Sequence, residues 1–417
     1  MAPFLDILGK TWKGIRQDDD FANRLNHRYT AIIFIVFAVV VMSASYVGDP
    51  IHCWMPGEFK DSHKSYANNY CWIKNTYYIP FEERIPGADL PRPHIGYYQW
   101  VPIVMLLQAL LFYFPVVFWR LMSGATGIDV HAIVKGVSGL DYLDPEKRAT
   151  VIKYLVRHMD RYFGHKKDRD RECFGSLRTI ITNMLICCGV GKRFGNYLIF
   201  LFMWVKALYV ANSIGQLFLL NTFLGTKFHL FGFEFLRNFM DEQDWTTSGR
   251  FPRVTLCDFK MRQLGGNIHR WTIQCVLPIN LFNEKIYLFI WFWLIFVSAV
   301  TVFGFLTWLA VFFVGERKEY IKKNLKLMGD YNTKDKDRFK KFVTEYLKVD
   351  GVFVCKLIQR NTNDVIVSEF VAELWDFYKN KPENKGMLGE NPEVGQPMLE
   401  NTEFKADFKD PDGNSYA

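Results

Sequence analysis

The sequence predicts an all-α membrane protein: four transmembrane helices, two outer loops closed by disulfides, and a helical cytoplasmic domain. Three observations predict it. Four long stretches of the 417-residue chain are almost free of charge. Basic residues crowd into alternate connectors between them. The other two connectors carry cysteines at one spacing, with Cys53 and Cys71 eighteen residues apart and Cys257 and Cys275 eighteen apart.

Residues 29–47 and 101–119 are nineteen uncharged residues each, 197–220 holds one charge (Lys206), and 286–314 is uncharged for twenty-nine. A hydrocarbon core of about 30 Å is crossed by roughly 20 apolar residues as helix, so all four qualify as spans. This divides the chain into 1–28, the loop 48–100 after span one, 120–196 after span two, 221–285 after span three, and 315–379 after span four. The last segment, 380–417, is rich in Pro, Gly, Glu and Lys, poor in apolar residues, and expected to be disordered.

Orientation follows from the basic residues. Loop 48–99 has 5 Lys/Arg against 6 Asp/Glu, whereas 120–196 has 14 against 8. Beyond span four the bases cluster at once: Arg317, Lys318, Lys322, Lys323 and Lys326. Residues 1–28, 120–196 and 315–417 are therefore assigned to the cytoplasm. Segment 221–285, with 8 basic and 6 acidic residues, argues weakly the other way, but alternation of the spans places it outside. No cleavable secretory signal precedes span one, which is read as an uncleaved signal-anchor. No Asn-x-Ser/Thr sequon occurs, so no glycosylation is expected.

Four cysteines in an oxidising compartment imply two bridges, and four thiols allow three connectivities. Cys173, Cys187, Cys188 and Cys355 fall on the cytoplasmic side and are read as free thiols, the Cys187-Cys188 pair being either buried or a palmitate acceptor.

In the first segment Phe4, Leu5, Ile7, Leu8, Trp12 and Ile15 fit helical spacing. This amphipathic piece either lies on the membrane surface or folds back into a pore. Asp18, Asp19 and Asp20 then offer acceptors to cap the next helix. Span two contains Pro115, a hinge candidate, though proline is also tolerated in packed membrane helices and that reading is preferred. The run from Asp141 to Lys147 reads as a helix start followed by Ile152, Leu155, Val156, Met159 and Phe163 at helical spacing, with 176–188 as its partner. Segments 320–327, 336–347 and 364–378 read as tail helices.

Little points to catalysis. Gly189 to Gly195 lacks the Walker spacing and precedes a span, so it is read as a basic linker. His52, His63, His94, His229 and His269 are scattered, without the i, i+4 pairing of a metal site, and are read as surface histidines. Neither an enzyme, a cofactor, a metal nor a nucleic-acid partner is expected. Lys206 inside span three must face protein or water; pairing with a polar group such as Asn212 of an adjacent subunit is the preferred reading.

Tyr97-Tyr98-Gln99-Trp100-Val101-Pro102 opens span two. Physically it reads as an interfacial aromatic belt with proline in the first helical turn. The string itself is similar to the signature of the innexins, the invertebrate gap-junction proteins related to pannexins. Gly249 to Phe259, around Cys257, resembles their second outer loop. Val276 to Trp293 resembles the start of their fourth span, and Asp350-Gly-Val-Phe-Val with Val365-Ile-Val-Ser-Glu resembles their tail. The likeness covers residues 1–378. Two departures are that Val116 and Val117, not a basic residue, follow Pro115, and that each outer loop has two cysteines where connexins have three.

The resemblance implies loops bridged to each other, Cys53 with Cys275 and Cys71 with Cys257. It also implies an octameric ring that docks onto a second ring on the apposed cell, at plasma-membrane gap junctions, for passive passage of ions and small metabolites. The N-terminal helix is then expected in the pore funnel, with Asp6 and Lys10 as pore-lining candidates. Partners are further copies of the chain, other innexins and membrane lipids. The rival reading is an undocked, pannexin-like hemichannel that releases small molecules such as ATP.

Overall fold

A computed structural model describes residues 19–85, 92, 94–124, 130–138, 145–169, 195–225, 227–241, 249–262, 265–313, 317–332 and 335–381. Two compact units, Met1–Glu373 and Leu374–Ala417, divide the chain; residues 374–381 of the second are described, and they end a helix. Asp6, Lys10, Cys173, Cys187, Cys188, the 176–188 segment and the 382–417 tail lie outside the described residues.

Four helices have the length and apolarity to cross a membrane. The first, α1, runs Phe21–Tyr46. It starts earlier than the uncharged stretch because Asp20 caps it: Oδ1 accepts the Asn23 N–H at 3.0 Å. Its second turn, Leu25–Thr30, is π-helical. Polar side chains sew that turn shut, with the Asn26 amide donating to Ala22 O at 2.8 Å and the Thr30 hydroxyl to Leu25 O at 2.9 Å.

Then come β1 (His52–Cys53), α2 (Asp61–Lys74), β2 (Thr76–Tyr77) and β3 (His94–Ile95). Helix α3, Tyr97–Gly124, contains span two and opens on the aromatic signature. It continues unbroken through Pro115, which is buried. Past it lie α4 (Val130–Ser138) and α5 (Pro145–Arg169), the second starting at the proline that the sequence marks.

Span three is α6, Tyr197–Leu224, ending at Gly225 in the left-handed conformation (φ 64°) that glycine adopts without strain. A short 3-10 turn leads to α7 (Phe231–Met240), then to β4 (Val254–Arg262) and β5 (Ile268–Val276). Span four is α8, Pro278–Phe313. The tail forms α9 (Arg317–Met328), α10 (Lys336–Lys341), α11 (Lys348–Asn361) and α12 (Asp364–Asn380).

Spans pack in the sequence α1 on α3, α3 on α6 and α6 on α8. Phe34 meets Phe112 at 5.8 Å across the first contact. A buried amide pair crosses the second, Gln108 Nε2 donating to Gln216 Oε1 at 3.0 Å. Val39, Leu110, Phe218 and Phe303 are exposed on the spans, where lipid or a neighbouring subunit covers such faces.

The chain is mostly helical, as expected. The cysteine loops add a five-stranded sheet, order β1-β5-β4-β2-β3, every pair antiparallel. The loop-two hairpin of β4 and β5 lies between β1 on one side and β2-β3 on the other, all three from loop one, so the sheet is a single body made of two distant segments. Its core hairpin follows the period-two rule. Thr255, Cys257 and Phe259 are buried while Lys260 is exposed, and on β5 Ile273 and Cys275 point the same way.

Candidate functional site

Two groups of residues stand out, one in the sheet and one at the opposite end of the spans.

At the sheet, Cys53 and Cys275 are direct cross-strand partners, and their sulfurs are joined. Cys71, from α2, is joined to Cys257 of β4. Both bridges therefore tie loop one to loop two, the pairing that the resemblance implies. Cys71, Cys257 and Cys275 are fully buried. The sulfurs of Cys53, Cys71 and Cys275 lie within 4.8 Å of one another, a grouping that suits a metal in thiolate form. Here each sulfur is held in a disulfide and has no thiolate to offer.

The other face of the hairpin carries an ionic knot on Asp258. Its carboxylate accepts from Thr272 Oγ1 at 2.6 Å, Arg270 Nη2 at 3.0 Å and Tyr77 Oη at 3.1 Å, and pairs with Arg92. Burial raises the carboxyl's pKa, but these donors outweigh it and hold the group below its ordinary 3.8. Burial pushes the Tyr77 phenol the other way, up to about 12, with the Asp258 charge adding to the shift. The knot joins β2, β4 and β5 with the chain just before β3.

The aromatic signature fastens this sheet to span two. Tyr98 is fully buried, its ring 4.8 Å from that of Trp72 in loop one. Gln99 donates to Trp72 O and, at 3.2 Å, to Asn75 Oδ1. Tyr97 Oη donates to Arg250 O of loop two at 3.3 Å and packs on Phe251. Val101 and Pro102 are buried, and Trp100 alone of the six is largely exposed, at 58%. An aromatic belt thus describes Trp100; the other side chains buckle both loops to a helix.

Under loop two, α7 lies against span four where Gly232 has no Cβ: one built there would sit 2.1 Å from the Trp291 ring. Trp291 Nε1 donates to His229 O at 3.1 Å. His229, expected at the surface, is half-buried, with Nδ1 2.9 Å from Asn221 Nδ2.

At the opposite end the site is ionic. Lys206 is fully buried and pairs with Asp20 of its own chain, correcting the expected link to Asn212 of a neighbour. Asn212 Oδ1 instead accepts from Gln216 at 3.0 Å. The same Asp20 oxygen accepts from Trp308 Nε1 at 2.9 Å, and Arg360 Nη1 stands 3.8 Å away. One aspartate before span one is thereby shared by spans three and four and by the tail. Close approach is again allowed by a glycine, since a Cβ at Gly304 would meet Ala22 Cβ at 2.9 Å. Beside it, Asn26 Nδ2 donates to Thr301 Oγ1 at 2.7 Å, and His27 lies 3.6 Å from Asp19.

The tail also holds span three. Asp350 Oδ1 accepts the Leu198 and Ile199 N–H groups at 3.1 and 3.3 Å, while its own N–H donates to Gly195 O at 2.9 Å. The carboxylate caps a helix that begins more than a hundred residues earlier, a role for which Asn196 shows no side-chain bond. Tyr346 donates to Asp160 of α5 at 2.8 Å, and Arg148 of α5 pairs with Glu369 at 3.0 Å, so α5 is tied to the tail helices at two points. Cys355 is a free, fully buried thiol, which burial pushes up to about 12.

Sequence reasoning reached Asp350 as the start of a tail string and Asp20 as a helix cap, which it is, but neither long-range role was legible. Their partners lie 152 and 186 positions away, and no local pattern announces such a pair.

Comparison with known proteins agrees with this architecture. The family model described as Innexin matches residues 19–378. Innexin unc-9 of Caenorhabditis elegans is 38% identical over 371 residues, covering 88% of this chain and 94% of that protein. Innexin-3 of Caenorhabditis elegans is 37% identical over 89% of this chain and 87% of its own length. Innexin-19 of Caenorhabditis briggsae is 33% identical over 88% of each. With four apolar helices, two loops cross-bridged by cysteines and a family match over nearly all the described residues, the chain belongs to the innexin family of gap-junction channel proteins.

Proposed function

We propose that this innexin subunit assembles around an axis into an octameric ring, and that two such rings dock end to end across apposed plasma membranes. A four-helix protomer has no room for a wide aqueous path, whereas cyclic symmetry provides one on its axis. Both termini and the 120–196 connector are cytoplasmic in this reading, supported by the bases after spans two and four. Other innexins are candidate partners in the ring or across the junction.

The observation that carries the reading is the cross-bridged sheet built from both outer loops. Docking surfaces that are ordered before they meet lose less entropy on association, so rigid loops favour end-to-end affinity. Ions and small metabolites then pass by diffusion, with no catalytic step. The N-terminal segment lines the funnel, where Asp6 and Lys10, repeated around the ring, bias the field on permeant ions.

Dual voltage clamp of paired cells expressing the chain tests the reading. Current between the cells is expected; current through single membranes but never between cells would sink docking and leave the hemichannel. Asp6→Asn is expected to lower cation preference in the same recordings.

A further inference from the structure

Where span four meets the tail helices, a cavity of about 180 Å3 is lined by Trp308 of α8, Tyr320 and Lys323 of α9, Lys356 and Arg360 of α11, and Asp364 of α12. Three of these side chains are cations and one is a carboxylate. The carboxylate is engaged within the wall, since Gln359 Nε2 donates to Asp364 Oδ1 at 2.8 Å. Aromatic faces fix where two of the cations sit: Arg360 lies over the Trp308 ring at 4.7 Å and Lys356 over the Tyr320 ring at 5.0 Å. These rings position charge without cancelling it. Burial lifts the Tyr320 phenol well above its ordinary value, so that wall stays neutral. Asp20, 3.8 Å from Arg360, already holds Lys206 and Trp308.

A second cavity, of about 130 Å3, shares Trp308 and Lys356 with the first and adds Arg317. Positive charge thus surrounds a concave space at the end of a membrane span. Arg and Lys donors converging on one hollow match the oxygens of a phosphate. Basic pockets at the inner membrane face are where phosphorylated headgroups dock.

We propose that this cavity binds a phosphate group at the cytoplasmic face, carried by a lipid headgroup or by a soluble molecule. The cytoplasmic placement rests on the orientation proposed above. The test uses the full chain purified into nanodiscs of phosphatidylcholine, with or without phosphatidylinositol bisphosphate. Inositol trisphosphate and inorganic phosphate are titrated as soluble probes.

Saturable binding of at least one phosphate probe is expected. Joint Lys323→Gln and Lys356→Gln substitution should weaken it about twenty-five-fold, at roughly fivefold per lysine. Lys326→Gln, exposed on the same helix and outside the cavity wall, should leave it unchanged. Lys323 is exposed, so Lys323→Gln alone keeps the test standing if the joint variant fails to fold. Binding confined to the lipid-bearing nanodiscs assigns the site to a headgroup; equal binding of the soluble probes assigns it to a free phosphate. Absence of saturable binding by every probe, or an equal loss in Lys326→Gln, overturns the proposal. No current is measured, so a failed binding experiment leaves the channel reading intact, and absent coupling leaves this site intact.

Discussion

Lys206 sets the terms at the scale of single residues. A buried ammonium is tolerated because Asp20 meets it, and Asp20 is tolerated because Asn23, Trp308 and Lys206 satisfy its two oxygens. Breaking a buried pair from one side leaves an uncompensated charge and costs about 3–5 kcal/mol, while removing both charges costs far less. Lys206→Met is therefore expected to lower the Tm of the purified protein markedly, and Asp20→Asn added to it should restore most of the loss. If the double variant melts below the single one, the pair is not what holds the node together. Asp350→Ala strips two N–H groups of their acceptor and should cost about 2 kcal/mol. Thermal unfolding reads it, and Asp350→Asn should recover part. Cys355, with its thiol buried and pushed up to about 12, is expected to resist maleimide in the folded protein and react only after denaturation.

Among elements, the sheet is the one whose behaviour follows from its construction. Two bridges hold three short strands and a long hairpin that have few backbone bonds to spare. Each bridge contributes roughly 2–4 kcal/mol by restraining the loops before they fold. Mild reduction, or Cys71→Ser with Cys257→Ser, should abolish current between paired cells while surface biotinylation shows the protein still inserted. Unchanged coupling after verified reduction would show that docking does not need the bridges. The Asp258 knot adds a pH window with two edges. Asp258 is depressed below 3.8, so its contribution is present above that value and lost as pH falls through its lower folded value. Tyr77 is raised from 10.0 to about 12, so its contribution is full below pH 10.0 and lost as pH rises through about 12. Amide exchange in β4 and β5 should accelerate beyond either edge and stay flat between them.

For the whole molecule, the proposed octamer predicts a detergent-purified particle with eight subunits around a central opening. Electron-microscopic projections along the axis count them, and a closed monomer or dimer would defeat the pore. Much of this architecture was legible beforehand. Spans, their order, the paired loops and the capping aspartates follow from charge-free length, cysteine spacing and acidic residues, because a bilayer punishes polar backbone locally. Less was legible in the sheet, although Cys257, Phe259 and Met261 alternate with Asp258, Lys260 and Arg262 in plain view. Six residues of alternation inside a polar connector are easily outweighed by four long helices. The signature of Tyr97 to Pro102 was visible as a string, yet its work could not be read, since Trp72, Asn75 and Arg250 reach it only in space.

By itself the sequence determined that four helices are long and apolar enough to cross a membrane, for burial in hydrocarbon depends on composition within one helix. Tertiary structure decided which charges meet: that Asp20 serves Lys206, that Asp350 caps span three, and that both loops share one sheet. Such pairings join groups far apart in the chain, and what selects them is the shape in which all four spans pack, which no short window of residues contains.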